Sequence, residues 1–274
     1  MQDFVVDGTA YPQSIGFDAT ERDGLVVTVG VALNRTSEAR LLEILYQELH
    51  DEDYRPFRTK SRDLSLSPHK IDAVLQQCHG EIGICVHQDS VKLPYAEATH
   101  SAILLDEPAV PTNKSVVIVD GDNSKSELFQ HATSGIGLTP PPVVHCTQSE
   151  MYYPHLLFAD LVAGRIADSI ESGSNPAYEI QRIGSIEAIT HTTTDDDQWG
   201  RGYNSAARQE GGSTNRVFEQ RYASSFRERV TCWFNGWFGY QNAAPPTSTS
   251  VQPVVGRLQT IDCGGIAQWI AEQQ

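Results

Sequence analysis

The run Val116-Val117-Ile118-Val119, closed by Asp120-Gly121-Asp122, constrains this chain more than any other stretch. Consecutive β-branched apolar residues fit a strand buried on both faces, as in a sheet covered by helices on either side. The run stops on carboxylates, and the ends of such strands are where α/β proteins commonly build their sites. Two more segments set an acid against apolar structure: Phe4-Val5-Val6-Asp7-Gly8 as a strand, and Leu156-Leu157-Phe158-Ala159-Asp160-Leu161-Val162-Ala163-Gly164 as a helix. A carboxylate within that helix is costly if buried without a partner, and a cation is one such partner. Asp7, Asp120 and Asp160 are therefore candidate metal ligands. The two strand-end acids also have plainer readings. Asp7 before Gly8 suits a turn, and Asp120-Gly121-Asp122 the opening of a loop.

Strand signals fall at residues 4–7, 14–20, 24–33, 81–87, 116–120 and 143–146. Helix signals fall between them. Asn34 and Ser37 offer caps to a helix reaching about residue 51, with Leu41, Leu42, Leu45 and Leu49 as its apolar stripe. Glu38 lies on that stripe by the helical period, whereas Glu43 points away from it. Further helices are expected at 68–78, 95–105, 153–170, 215–233 and 264–272. This order predicts an α/β fold: a mixed sheet with helices on its faces. Strands 4–7, 24–33 and 116–120 should share that sheet, the first lying near the third. Residues 1–172 are expected to form this domain. Residues 173–274 form an accessory C-terminal region, with a Pro/Thr/Ser linker near 243–253.

Charge narrows the function. The chain carries 35 acidic against 20 basic residues, a formal net charge of −15, and only five Lys among 274 residues. Such a surface suits a halophilic source, where salt screens its self-repulsion. It argues against bulk attraction to nucleic acid in dilute salt, while leaving metal-bridged contact with phosphates open. No apolar run approaches the ~20 residues of a membrane span, and five Cys without a C-x-x-C pair read as ordinary buried thiols rather than a zinc site. A reduced, soluble, cytoplasmic protein without membrane contact is the expectation.

Carboxylate oxygens suit Mg²⁺ or Mn²⁺, and paired ions of this kind support phosphodiester cleavage. The order strand-Asp, helix, strand-Asp, helix-Asp resembles the ribonuclease H-like superfamily. More specifically it is similar to a broad prokaryotic family with an N-terminal strand Asp and an L-x-x-A-D-L-x-A-G helix. Residues 156–164 match that helix, Ser149 precedes it, and the resemblance covers about residues 4–170. It implies a mixed five-stranded sheet and a metal-dependent nuclease acting on DNA or RNA, with Asp7, Asp120 and Asp160 as ligands and Mg²⁺ or Mn²⁺ as cofactor. The superfamily's fourth carboxylate comes from the first helix, a place Glu38 or Glu48 would fill, with Glu38 preferred on helical phase. A first-turn Glu that favours the helix dipole is the equal alternative. Lys60 and Arg62 answer the family's basic segment as phosphate contacts, or are solvated loop charges. The sequence departs from the family at Gly8-Thr9, where many members have an acid and a Ser.

Two other functions fit some of these features. One is a non-catalytic ribonuclease H-like module binding a protein or nucleic acid, its site weakened by Gly8-Thr9. The other is a Mg²⁺-dependent phosphotransferase, against which Asp7 lacks a second Asp two residues on. The aromatic stretch from Trp233 to Tyr240 reads as core or subunit contact, or as a platform for unpaired bases. The acidic surface makes a direct prediction: melting temperature should fall between molar and millimolar salt, and an unchanged or raised value removes the halophile reading.

Overall fold

The dipeptide Asp23-Gly24 starts the sheet. Both residues have positive φ, 43° and 81°, the backbone a tight hairpin turn demands. It joins β3 (Gln13–Arg22) to β4 (Leu25–Asn34), antiparallel over their full lengths. The computed structural model describes residues 1–6, 8–88, 96–106, 114–120, 123–135, 137, 139, 141–146, 148–173, 217–219, 225–236 and 250–273. Two short strands, β1 (Phe4–Val6) and β2 (Thr9–Tyr11), precede the hairpin. On one side of it β5 (Glu81–Gln88) pairs antiparallel with β4. On the other, β6 (Ser115–Asp120), β7 (Val143–Cys146) and β8 (Val217–Glu219) continue from β3 in parallel. The sheet order is β5-β4-β3-β6-β7-β8.

Helices α1 (Arg35–Leu49) and α5 (Pro154–Glu171) cover one face, where Leu41, Leu45, Leu157, Phe158 and Val162 meet the alternate residues Val27, Val29, Val31 and Leu33 of β4. Helices α3 (Ala96–Asp106) and α4 (Asn123–Gly135) cover the other, with Leu104, Leu105 and Phe129 on Phe17, Val117 and Val119. A sheet dressed on both faces explains why β4 and β6 are almost wholly apolar. The mixed α/β architecture is the expected one, with six strands in the main sheet among the described residues where the resemblance implied five. Helix α2 (Pro68–Gln77) packs outside α1 and α5. No described helix is long and apolar enough to cross a membrane.

The N-terminal strand is a correction. β1 pairs only with β2, in a separate two-stranded sheet, and does not join β6. Gly8, at φ 75°, turns the chain back after three strand residues, so Phe4 and Val6 bury elsewhere. Their cluster includes Tyr11, Leu42 and Tyr153, and also the C-terminal helices α6 (Phe226–Asn235), α7 (Gln252–Gln259) and α8 (Gly264–Glu272), through Trp233, Leu258 and Ile270. The helix expected over 215–233 is instead β8 followed by α6, which opens on the capping box Ser225–Glu228. Most of the expected linker at 243–253 lies outside the described residues; Gln252 and Pro253 begin α7.

Two acids of α1 hold these parts together. Glu43, expected to face outward, is buried because α8 covers it, and its carboxylate accepts from the backbone N–H of Gly265 (3.0 Å) and Ile266 (2.7 Å) at the start of that helix. Glu38 is fully buried, ion-paired with Arg35, accepts from the Trp233 indole at 3.0 Å, and lies 3.4 Å from His155 Nδ1. Arg35 also donates to the Gln2 carbonyl (3.0 Å) and that of Trp233, and stacks 4.1 Å from the Phe4 ring centroid. Burial works to raise the Glu38 pKa, but Arg35, His155 and Trp233 together hold it below 4.5. Glu38→Ala should cost about 3–5 kcal/mol in urea unfolding, because Arg35 is left buried and unpaired. A carboxylate depressed on folding stabilises above its unfolded pKa and loses that contribution as pH falls through the folded value. The difference between variant and wild type should therefore shrink below about pH 4.3.

Candidate metal centre

Gly16 sets the geometry. A Cβ there would lie 2.5 Å from His155 Cδ2 and 2.9 Å from Leu156 Cγ, so α5 approaches β3 closely only over glycine. From Gly16 to Asp18 the strand advances about 7 Å on the same face. From Leu156 to Asp160 the helix advances about 6 Å on the same side. The two elements run in step, and further along Arg22 of β3 pairs with Asp168 of α5. Asp160 is thereby delivered to Asp18.

Next to β3, the parallel register pairs Phe17 with Val119, so Asp120 follows at the level of Asp18 on the neighbouring strand. Asp120 Oδ1 accepts from the Ser149 N–H at 3.1 Å. That bond ties the short helical turn Ser149–Met151 to the end of β6, and the turn carries Glu150. Asp18, Glu150 and Asp160 each offer a carboxylate oxygen, and these atoms all lie within 4.8 Å of one another. From a separate loop, Ser61 donates its N–H to Glu150 Oε2 at 2.7 Å and its hydroxyl to Asp160 Oδ2.

The electrostatics follow. Asp18 titrates well above the ordinary 3.8, first from burial, then from the charges of Asp160, Glu97 and Asp120, against the N–H of Ala19 that donates to it at 2.8 Å. Burial likewise raises Asp160, opposed by the Ser61 hydroxyl and assisted by Asp120. Glu150 is raised by burial, with Ser61 again opposing and Asp160 adding to it. Hard oxygen donors, converging and mutually repelling, fit a Mg²⁺- or Mn²⁺-sized cation, whose charge would relieve the repulsion.

Of the residues expected from sequence, Asp160 stands in this cluster and Asp120 beside it. Asp7 lies outside the described residues, and the acid on the strand paired with β6 is Asp18. Glu38 belongs to the buried Arg35 pair described above, because its position on the apolar stripe turns it into the core. Glu48 accepts from the Gln77 amide at 2.8 Å. Lys60 and Arg62 flank Ser61, half-buried and exposed respectively. Asp18 and Glu150 were not anticipated. For Asp18 the available signal was the Asp-Gly hairpin, which makes 13–22 a long central strand. Glu150, on a single irregular turn, has no periodic signature.

No family model matches this chain, and no curated protein matches it. Among solved structures, ribonuclease H2 from Pyrococcus horikoshii OT3 is similar at a TM-score of 0.44 and 13% identity, covering 72% of this chain and 99% of that one. Bst-RNase HIII in complex with Mn²⁺ is similar at a TM-score of 0.38 and 13% identity, covering 72% of this chain and 70% of that one.

Raised carboxylates favour the protonated form on folding, so their contribution to stability is full below the unfolded pKa and is lost as pH rises through the folded value. Asp18→Asn removes the charge and keeps the shape. At pH 7 without metal it should raise the melting temperature, and the gain should vanish on acidification to about pH 4.

Proposed function

We propose that this chain is a divalent-metal-dependent nuclease of the ribonuclease H-like type, hydrolysing phosphodiester bonds of DNA or RNA. The observation that supports it is the convergence of Asp18, Glu150 and Asp160, with Asp120 alongside, where β6 ends beside β3. Asp160 is also the acid of the L-x-x-A-D-L-x-A-G helix on which the family resemblance rests.

In this reading Asp18, Glu150 and Asp160 hold Mg²⁺ or Mn²⁺, and Asp120 adds negative charge and fixes the Glu150 turn. A cation bound there supplies Lewis-acid polarisation of a phosphate and a more acidic water. Ser61 keeps two of the carboxylates oriented. Lys60 and Arg62, on either side of it in the sequence, contact the phosphates of a substrate strand in this reading, the attraction that an otherwise acidic protein needs locally. Residues 1–172 carry the chemistry, with residues 173–274, whose β8 extends the same sheet, as the accessory region.

The test is cleavage of labelled DNA, RNA and hybrid duplexes by the purified chain in Mg²⁺ or Mn²⁺, with and without chelator. Cleavage should require metal, and Asp160→Asn and Asp18→Asn should each abolish it while circular dichroism stays unchanged. Lys60→Ala with Arg62→Ala should weaken substrate binding and flatten its salt dependence. Wild-type cleavage by the Asp160→Asn protein removes the assignment. No cleavage by the wild type under any of these conditions favours a binding module.

A further inference from the structure

Residues 55–64 form two consecutive hydrogen-bonded turns, 55–59 and 60–64, joined by the Thr59–Lys60 peptide. The N–H groups of Arg58 and Thr59 both donate to the Arg55 carbonyl at 3.0 Å, and Thr59 Oγ1 accepts from the Arg55 N–H at 2.8 Å. Beyond them, the Asp63 N–H donates to the Lys60 carbonyl (3.0 Å), the Leu64 N–H to that of Ser61 (2.9 Å), and the Lys60 N–H to Asp63 Oδ2 (3.3 Å). Each turn is tied within itself, and the Thr59–Lys60 peptide couples one to the other in a single short segment.

Its two ends touch different parts of the molecule. At one end the Phe57 ring lies 5.3 Å from Trp233 and 6.2 Å, edge-on, from Phe226, both on α6. The Phe57 carbonyl accepts from Arg229 Nε at 2.7 Å, and the Arg58 guanidinium sits 4.7 Å over the Phe226 ring. Phe57 itself has φ 61°, a conformation a bulky residue adopts only when its surroundings impose it. At the other end Ser61 grips Glu150 and Asp160 with two separate donors. Those acids come from different elements, the Ser149–Met151 turn and α5, and like charges push them apart.

We propose that residues 55–64 are a strap through which α6, in the C-terminal region, sets the separation of two metal-binding carboxylates, with Ser61 as the positioning residue. This rests on the metal-centre reading and gives the accessory region a role in it. A donor behind a ligating carboxylate orients the oxygen that faces the cation, and loss of such partners typically weakens metal affinity by about 10–100-fold.

The experiment is a calorimetric Mn²⁺ titration of the full chain, paired with melting of the metal-free protein, for wild type, Ser61→Ala, Ser61→Thr and Arg229→Met. Ser61→Ala should weaken Mn²⁺ binding about tenfold or more with little change in metal-free melting, and Ser61→Thr, which keeps the hydroxyl, should restore it. Arg229→Met should weaken binding in the same direction, measured below its melting temperature. Equal affinity in wild type and Ser61→Ala overturns the strap and leaves the metal centre standing. An Arg229→Met protein with lowered melting but wild-type affinity overturns the link to α6. A wild type that binds no Mn²⁺ overturns the metal reading and the strap with it.

Discussion

Helix α5 comes closest to β3 at Gly16, where a Cβ would collide with His155 and Leu156. The rest of the candidate site depends on this contact. A larger residue at position 16 would have to push aside His155 and Leu156, both fully buried, and Asp160 would retreat from Asp18 with them. The apolar residues around Asp160 are what hold the helix down: Leu157, Phe158 and Val162 share a cluster with the interior residues of β4. Packing energy therefore keeps three carboxylates closer than electrostatics alone would allow. The raised pKa directions of Asp18, Glu150 and Asp160 register that opposition, first through burial and then through mutual charge.

Buried acids serve two opposite purposes in this molecule. Glu38 and Glu43 are satisfied, one by Arg35 and the Trp233 indole, the other by two backbone N–H groups at the start of α8. Both fasten the C-terminal helices to α1. The acids of the cluster and Asp120 receive donors from Ser61, Ser149 and Ala19, yet Asp18, Glu150 and Asp160 still titrate high. A group already neutralised by a guanidinium has no use for a cation, whereas a crowded set of hard oxygens does. This difference separates Glu38 from the site more firmly than its place on a helix.

The C-terminal helices are part of the core as well as an extension of the chain. Gly236, at φ 58°, ends α6 against the backbone of Gln2 and Asp3, where a Cβ would lie 2.8 Å from the Asp3 carbonyl oxygen. The chain's first residues are thus closed over by residues more than two hundred positions away. β1 spends its apolar side chains on that contact, which is why a strand that looks like a sheet interior does not enter the sheet.

Local patterns determined much of this protein. The β-branched runs at β4 and β6, the apolar stripe of α1 and the uninterrupted helix around Asp160 each name an element type, because burial on one or both faces leaves a period in the residues. Asp160 stood out for the same reason, as a charge that an apolar helix must deliver to some partner. Asp120 stood out as the end of a buried strand. Which acids meet was decided only by tertiary structure. Asp18 reaches the site because the Asp23-Gly24 turn makes β3 the central strand, and parallel pairing with β6 then levels it with Asp120. Glu150 arrives on a single turn held by one hydrogen bond to Asp120, and Ser61 crosses from a distant loop. Convergence is a property of register and approach distance, and neither leaves a mark in the local order of residues.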